Sequence, residues 1–122
     1  MPQILEAAMQ ASALTDADYH RLAGVALAKI EATIDRWLQD DVIDIDSHRT
    51  GGLLELAFPD GSKIIVNTQP PLHELWLATR GGGYHFKRSG DAWRDTKDGV
   101  EFFERLSREA SAQGGKALDF SS

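Results

Sequence analysis

The sequence predicts an α+β fold, a two-layer α-β sandwich in which an antiparallel sheet of about six strands packs against an N-terminal and a C-terminal helix. Three observations carry this: apolar residues at helical spacing from 19 to 37, a change to period two from residue 42 onward with tight turns between short runs, and a return to helical spacing after residue 98. At 122 residues, with 42% hydrophobic and 26% charged residues, the chain makes one domain around one modest core. Residues 1–14 are expected to be an N-terminal extension and residues 15–122 the domain, with 116–122 a second flanking arm.

The first helix opens at "LTDADY", where Thr15 is the expected N-cap, Asp18 closes a capping box and Leu14 faces Tyr19 as a hydrophobic staple. Tyr19, Leu22, Ala23, Ala26, Ile30, Ile34 and Trp37 then form one apolar stripe, so the helix is expected to reach about Leu38. Alternation follows in "VIDID" (42–46), "LLELAF" (53–58), "SKIIVN" (62–67), "HELWLATR" (73–80), "YHFKR" (84–88) and "AWRD" (92–95). "PDG" at 59–61 is a turn because proline presets one angle and glycine accepts positive φ; "GGG" and "SGD" punctuate the later strands. Short consecutive strands with tight connections make an antiparallel meander. The last helix has Asp98 and Glu101 in a capping-box pattern, an apolar face of Phe102, Phe103, Leu106 and Ala110, and a stop at Gly114–Gly115. With both helices on one face, the other face of the sheet meets water, and period two puts Trp76 there, on the side of Glu74, Ala78 and Arg80.

The charge is uneven. Of the net −6, residues 15–46 carry −5: eight acids against Arg21, Lys29 and Arg36. Such a field repels nucleic acid and attracts cations or basic protein surfaces. The chain has no cysteine, so any metal must sit on oxygen or imidazole. No apolar run approaches the ~18 residues of a membrane span, and the first residues lack the pattern of a secretory or mitochondrial leader; the chain is expected in the cytoplasm, with no membrane and no nucleic acid among its partners.

Asp16, His20, Glu31 and Asp35 fall within about 100° of arc on the first helix, expected opposite much of the apolar stripe and interrupted by Gly24 and Leu27. Asp40, Asp41, Asp44 and Asp46 continue the acids through the following loop and strand. Crowded carboxylates repel one another, so a cation or a lysine-rich surface relieves a cost that isolated acids never incur. Oxygen donors of this kind suit Ca²⁺, Mn²⁺ or Fe²⁺ with little selectivity. An EF-hand is excluded: in "DIDSHRTGGLLE" the sixth position is Arg49, where glycine is required. No nucleophile elbow, P-loop or dinucleotide fingerprint occurs, and the four histidines are scattered. Trp76 on a watered sheet face, flanked by Asn67 and Gln69, reads as a contact anchor.

"NTQPPLHELWLAT" followed by "GGYHF", with "YHRLA" on the first helix and "GSKIIVN" before the tryptophan run, resembles the frataxin family over about residues 15–120. The resemblance implies a non-enzymatic α-β sandwich that binds iron (Fe²⁺ or Fe³⁺) weakly on an acidic ridge and acts in iron–sulfur cluster assembly, docking on the cysteine desulfurase, regulating it and delivering iron. Carried over by position, the ridge is Glu31, Asp35, Asp40, Asp41, Asp44 and Asp46, with Asp16, Asp18 and His20 near its start, and the sheet contact patch is Asn67, Gln69 and Trp76. Arg36, Trp37 and Leu38 interrupt an acid run that is denser in bacterial relatives. The chain is expected to be a monomer that can oligomerise with iron. The alternatives are a ferroxidase or iron-storage oligomer, which calls for Glu-x-x-His pairs the first helix lacks, and an acidic adaptor with no metal role.

Overall fold

A computed structural model describes residues 14–120. Helix α1 spans Asp16–Gln39, and its N-cap is Thr15, whose hydroxyl accepts from the Asp18 amide at 3.0 Å. The rest of the expected extension, residues 1–13, lies outside the described residues. The buried face of α1 is Tyr19, Ala23, Ala26, Leu27, Ile30, Thr33, Ile34 and Trp37. Two of these correct the sequence reading. Leu27, expected within the outer acidic stripe, is buried, and Thr33 joins the core because its hydroxyl donates to the Lys29 carbonyl at 2.8 Å. At about 100° per residue Leu27 falls between Asp16 and His20, so the acids flank the apolar face and do not oppose it.

The sheet has six antiparallel strands in chain order: β1 Asp46–Thr50, β2 Leu53–Ala57, β3 Lys63–Gln69, β4 Glu74–Thr79, β5 Gly82–Ser89 and β6 Ala92–Asp95. The expected meander is present, but its first strand starts four residues later than "VIDID" suggests. β2 stops at Ala57 because Phe58 closes the proline turn, donating to the Ser62 carbonyl and accepting from Gly61. The pairing of Asp46 with Ala57 therefore leaves residues 42–45 with no strand to join. Their alternation survives without a ladder: Ile45 is buried, Ile43 packs on the core, and Asp44 and Asp46 face out. Pro70–Leu72 form a short 3₁₀ turn, and His73 is left-handed at φ 53°, which starts β4 one residue after "HELWLATR" predicts.

Helix α2 runs Phe102–Gly114 and stops at Gly115, left-handed at φ 70°. Its cap departs from the expected box: Glu101 alone caps the helix, accepting from Phe103 (2.8 Å) and Glu104 (3.1 Å), while Asp98 accepts from Val100 and pairs with Arg105. The expected C-terminal arm also folds back as far as it is described. Leu118 and Phe120 are buried, and the Phe120 ring meets Trp37 edge-on at 4.7 Å. The inner sheet face gives Leu54, Leu56, Ile64, Val66, Leu75, Leu77, Phe86 and Trp93 to one core shared with both helices. One phenol joins the layers: Tyr19 Oη donates to the Glu74 carbonyl at 2.7 Å and accepts from the Gln69 amide at 2.9 Å. Burial pushes the Tyr19 hydroxyl pKa up. Among the described residues no helix is long and apolar enough to cross a membrane.

Candidate functional site

The acidic edge is built where α1 ends. Asp41 takes φ 58°, donating to Leu38 O at 3.2 Å, and Val42 turns back to Trp37 O at 2.8 Å. Inward anchoring of Ile43 and Ile45 leaves Asp44 and Asp46 facing outward, and Asp35, Asp40, Asp41, Asp44 and Asp46 are all exposed from the last turns of α1 through the connection into β1. Among the described residues these five form no ion pair and no side-chain hydrogen bond. Lys116 lies beside them but gives its ammonium to the Val42 carbonyl at 2.6 Å.

The other predicted ridge residues stand differently. Glu31 is held by Arg49 of β1 at 2.7 Å, Asp18 pairs with Arg21 at 3.3 Å, and Asp16 accepts from His73 Nε2 at 2.7 Å. His20 is exposed, with its ring edge-on to Tyr19 at 5.4 Å. Asp16, Asp18 and Glu31 thus each have a side-chain partner, and the stretch of acids without one among the described residues begins at Asp35. Among the described residues no three His, Asp or Glu side chains converge as a ready metal-ligand group.

The second feature is the outer sheet face. Register sets Asn67 opposite Trp76 and Trp76 opposite His85, with Gln69, Glu74, Lys87 and Arg94 making the next row. Trp76 is partly buried under His85, which stacks on it at 4.2 Å and 6° between planes. Arg80, expected on this face, instead hydrogen-bonds to Ala112 O and reaches toward Asp60. The Trp76 indole donates to Glu74 Oε1 at 2.7 Å, and Lys87 Nζ lies 3.8 Å from Glu74 Oε2, which leaves the Glu74 side chain only 10% exposed. Beside the stack runs a groove of about 220 Å³ lined by Ile65, Ala78, Tyr84 and Trp76. Sequence reading placed Glu74 on this face without giving it a role, and missed His85. Period two from Trp76 signals the first; the second needs the β4–β5 register.

A third cluster sits where β5, β6 and α2 meet. Buried Arg105 pairs with Asp98 and lies 3.8 Å from Asp95 Oδ2, its guanidinium 4.4 Å from the Tyr84 ring centre. The Val100 amide and then Arg105 hold the Asp98 carboxyl below the usual range, while the hydrogen bond to Glu109 at 2.6 Å pushes the Tyr84 hydroxyl up.

Residues 12–116 match the family model of the frataxin-like domain. The chain belongs to the frataxin family. A similar frataxin-family relative, from Variovorax paradoxus, carries the name iron-sulfur cluster assembly protein CyaY; it is 51% identical over 88% of this chain and 97% of its own. A second protein of that name, from Polaromonas, is 49% identical over 88% of this chain and 92% of its own. Among solved structures, frataxin from Psychromonas ingrahamii is 34% identical with a TM-score of 0.80, covering 89% of this chain and all of that one. The sandwich, its meander and the placement of α1 beside β1 are therefore those of a frataxin.

Proposed function

We propose that this frataxin-family protein serves iron–sulfur cluster assembly as a non-enzymatic accessory whose acidic edge both captures iron and docks on a basic surface of the cysteine desulfurase, setting its output. The observation that carries this reading is the run of five exposed carboxylates from Asp35 to Asp46 that have no side-chain partner among the described residues. Such charges repel one another in the free protein, and a cation or a lysine-rich surface removes that repulsion. Its relatives' name as assembly proteins supports the pathway.

Iron is cargo in this reading. The donors are hard oxygens on an exposed edge, a set that suits Fe²⁺ or Fe³⁺ held by one or two carboxylates and completed by water, with weak affinity. Asn67, Gln69 and Trp76 form a second contact patch on the sheet, at which another component of the assembly machinery is held. Glu31, Asp16 and Asp18 carry less of the ridge's pull, since each already has a cationic or imidazole partner.

The test is a triple reversal, Asp35→Lys with Asp40→Lys and Asp44→Lys. Affinity for the cysteine desulfurase, measured by calorimetry at low salt, is expected to fall at least about tenfold, with a flatter salt dependence and an unchanged or raised melting temperature. Ferrous-ion shifts in the NMR spectrum along residues 35–46 are expected to vanish with it. Undiminished desulfurase binding removes the edge from the mechanism.

A further inference from the structure

The chain after α2 returns to the acidic edge. Gly115, left-handed at φ 70°, reverses its direction, and two α2 hydroxyls then fix it: Ser111 Oγ accepts from the Leu118 amide at 2.9 Å and Ser107 Oγ from the Phe120 amide at 2.8 Å. Leu118 and Ile43 close on the same glycine, since a Cβ at Gly114 would lie 2.9 Å from Leu118 Cδ1 and 3.1 Å from Ile43 Cδ1. This packing sets Lys116 beside the segment that bears Asp40, Asp41 and Asp44, and its ammonium donates to the Val42 carbonyl at 2.6 Å. Residues 42–45 join no ladder, so the lysine supplies a donor that the sheet does not. Residues 37–47 hold no lysine or arginine of their own. Of the bases that flank them, Arg36 stands on the last turn of α1 and Arg49 is held by Glu31, whereas Lys116 comes from 74 residues away and bonds to the loop itself.

We infer that Lys116 is a built-in counter-ion of the acidic edge, an internal competitor that weakens the capture of cations between Asp40 and Asp44. The inference rests on reading the edge as a cation-binding surface, and it adds the regulation of that surface. Buried Leu118 and Phe120 anchor the backbone on the C-terminal side of Lys116 and Gly115 anchors the other, so the ammonium stays near when a cation lands. A fixed positive charge opposes an incoming cation in proportion to that cation's own charge, and salt screens the effect because the lysine is exposed. The carboxylates are thereby kept a shallow trap, one that gives up what it takes. A lysine that merely braced the loop would act on every cation alike, so the dependence on ligand charge separates the two roles.

The experiment titrates the full chain with Mn²⁺, followed by water-proton relaxation and by NMR broadening of residues 40–46, and with La³⁺, followed by displacement of the manganese. Lys116→Gln is expected to tighten Mn²⁺ about threefold and La³⁺ about fivefold at low salt, with both gains closing near about 0.5 M salt. Lys116→Arg, which keeps the charge, is expected to bind both ions as the wild type does. Unchanged affinities in Lys116→Gln overturn the proposal. Equal gains for the two ions, or gains that persist in salt, overturn it as well, because they assign the lysine to loop geometry. Weaker binding by Lys116→Gln makes the lysine a strut and overturns it too. Manganese binding that ignores Lys116 defeats this inference alone, whereas no broadening along residues 40–46 in any form defeats the acidic edge and this inference together, so the two failures are distinguishable.

Discussion

From Glu55 to Glu109 nearly every carboxylate, Asp91 excepted, has a donor in reach, whereas from Asp35 to Asp46 five carboxylates in succession have none among the described residues. Asp60 accepts from Ser62, Glu74 from Trp76, Glu109 from Tyr84, and Asp95 and Asp98 share Arg105. The difference separates two uses of the same chemical group. Paired acids hold turns and helix ends in place, and their loss weakens the fold. Acids without a partner repel one another, and their loss is expected to cost the fold nothing.

The sharpest way to break this comparison is at Arg105. Arg105→Ala leaves buried Asp95 without its counter-charge and Asp98 without its guanidinium partner. Unfolding free energy by urea titration is expected to drop by about 2–3 kcal/mol, below the range for a fully buried pair because Asp98 is half exposed. A loss under about 0.5 kcal/mol would mean that the paired region is no more supported than the edge.

The opposite sign is expected at the edge. Asp40→Asn with Asp41→Asn and Asp44→Asn should raise the melting midpoint by about 2–4 °C at low salt, an increment that disappears in about 1 M salt as screening removes the repulsion. A drop in midpoint would show that these acids make stabilising contacts.

A smaller and more specific effect is expected from acid. Asp98 has its native pKa lowered below the ordinary 3.8, so the folded state binds that proton more weakly than the unfolded chain does. Its contribution is therefore complete above the ordinary value and lost as pH falls through the lower native one. Unfolding of wild type and Asp98→Asn, compared from about pH 6 to pH 2, should differ above the ordinary value and converge toward the acid end. A gap that persists unchanged to the acid end would assign Asp98 a role independent of its charge.

Much of this was legible in the chain because it is local. Thr15 as N-cap, the proline turn before Gly61, and Gly115 after α2 are short-range signals that sit where they were expected, although Asp18 closes no capping box because its carboxylate pairs with Arg21. The acids from Asp35 to Asp46 were readable as an exposed run because Ile43 and Ile45 alternate with them. What escaped depends on partners distant in sequence. β1 begins at Asp46 only because β2 ends at Ala57, and Glu31 is neutralised by Arg49, 18 residues away. His85 covers Trp76 through a register that no local pattern encodes. The fold-back of Leu118 and Phe120 was missed because two apolar residues in a polar tail give no period at all.

The Tyr19 hydroxyl bonds to Gln69 and Glu74, the two residues that bracket the 3₁₀ turn, and so one oxygen clamps the helix bearing the acids to the strands bearing Trp76. Removing that one oxygen, as in Tyr19→Phe, would therefore untie the helix from both sides of the turn at once.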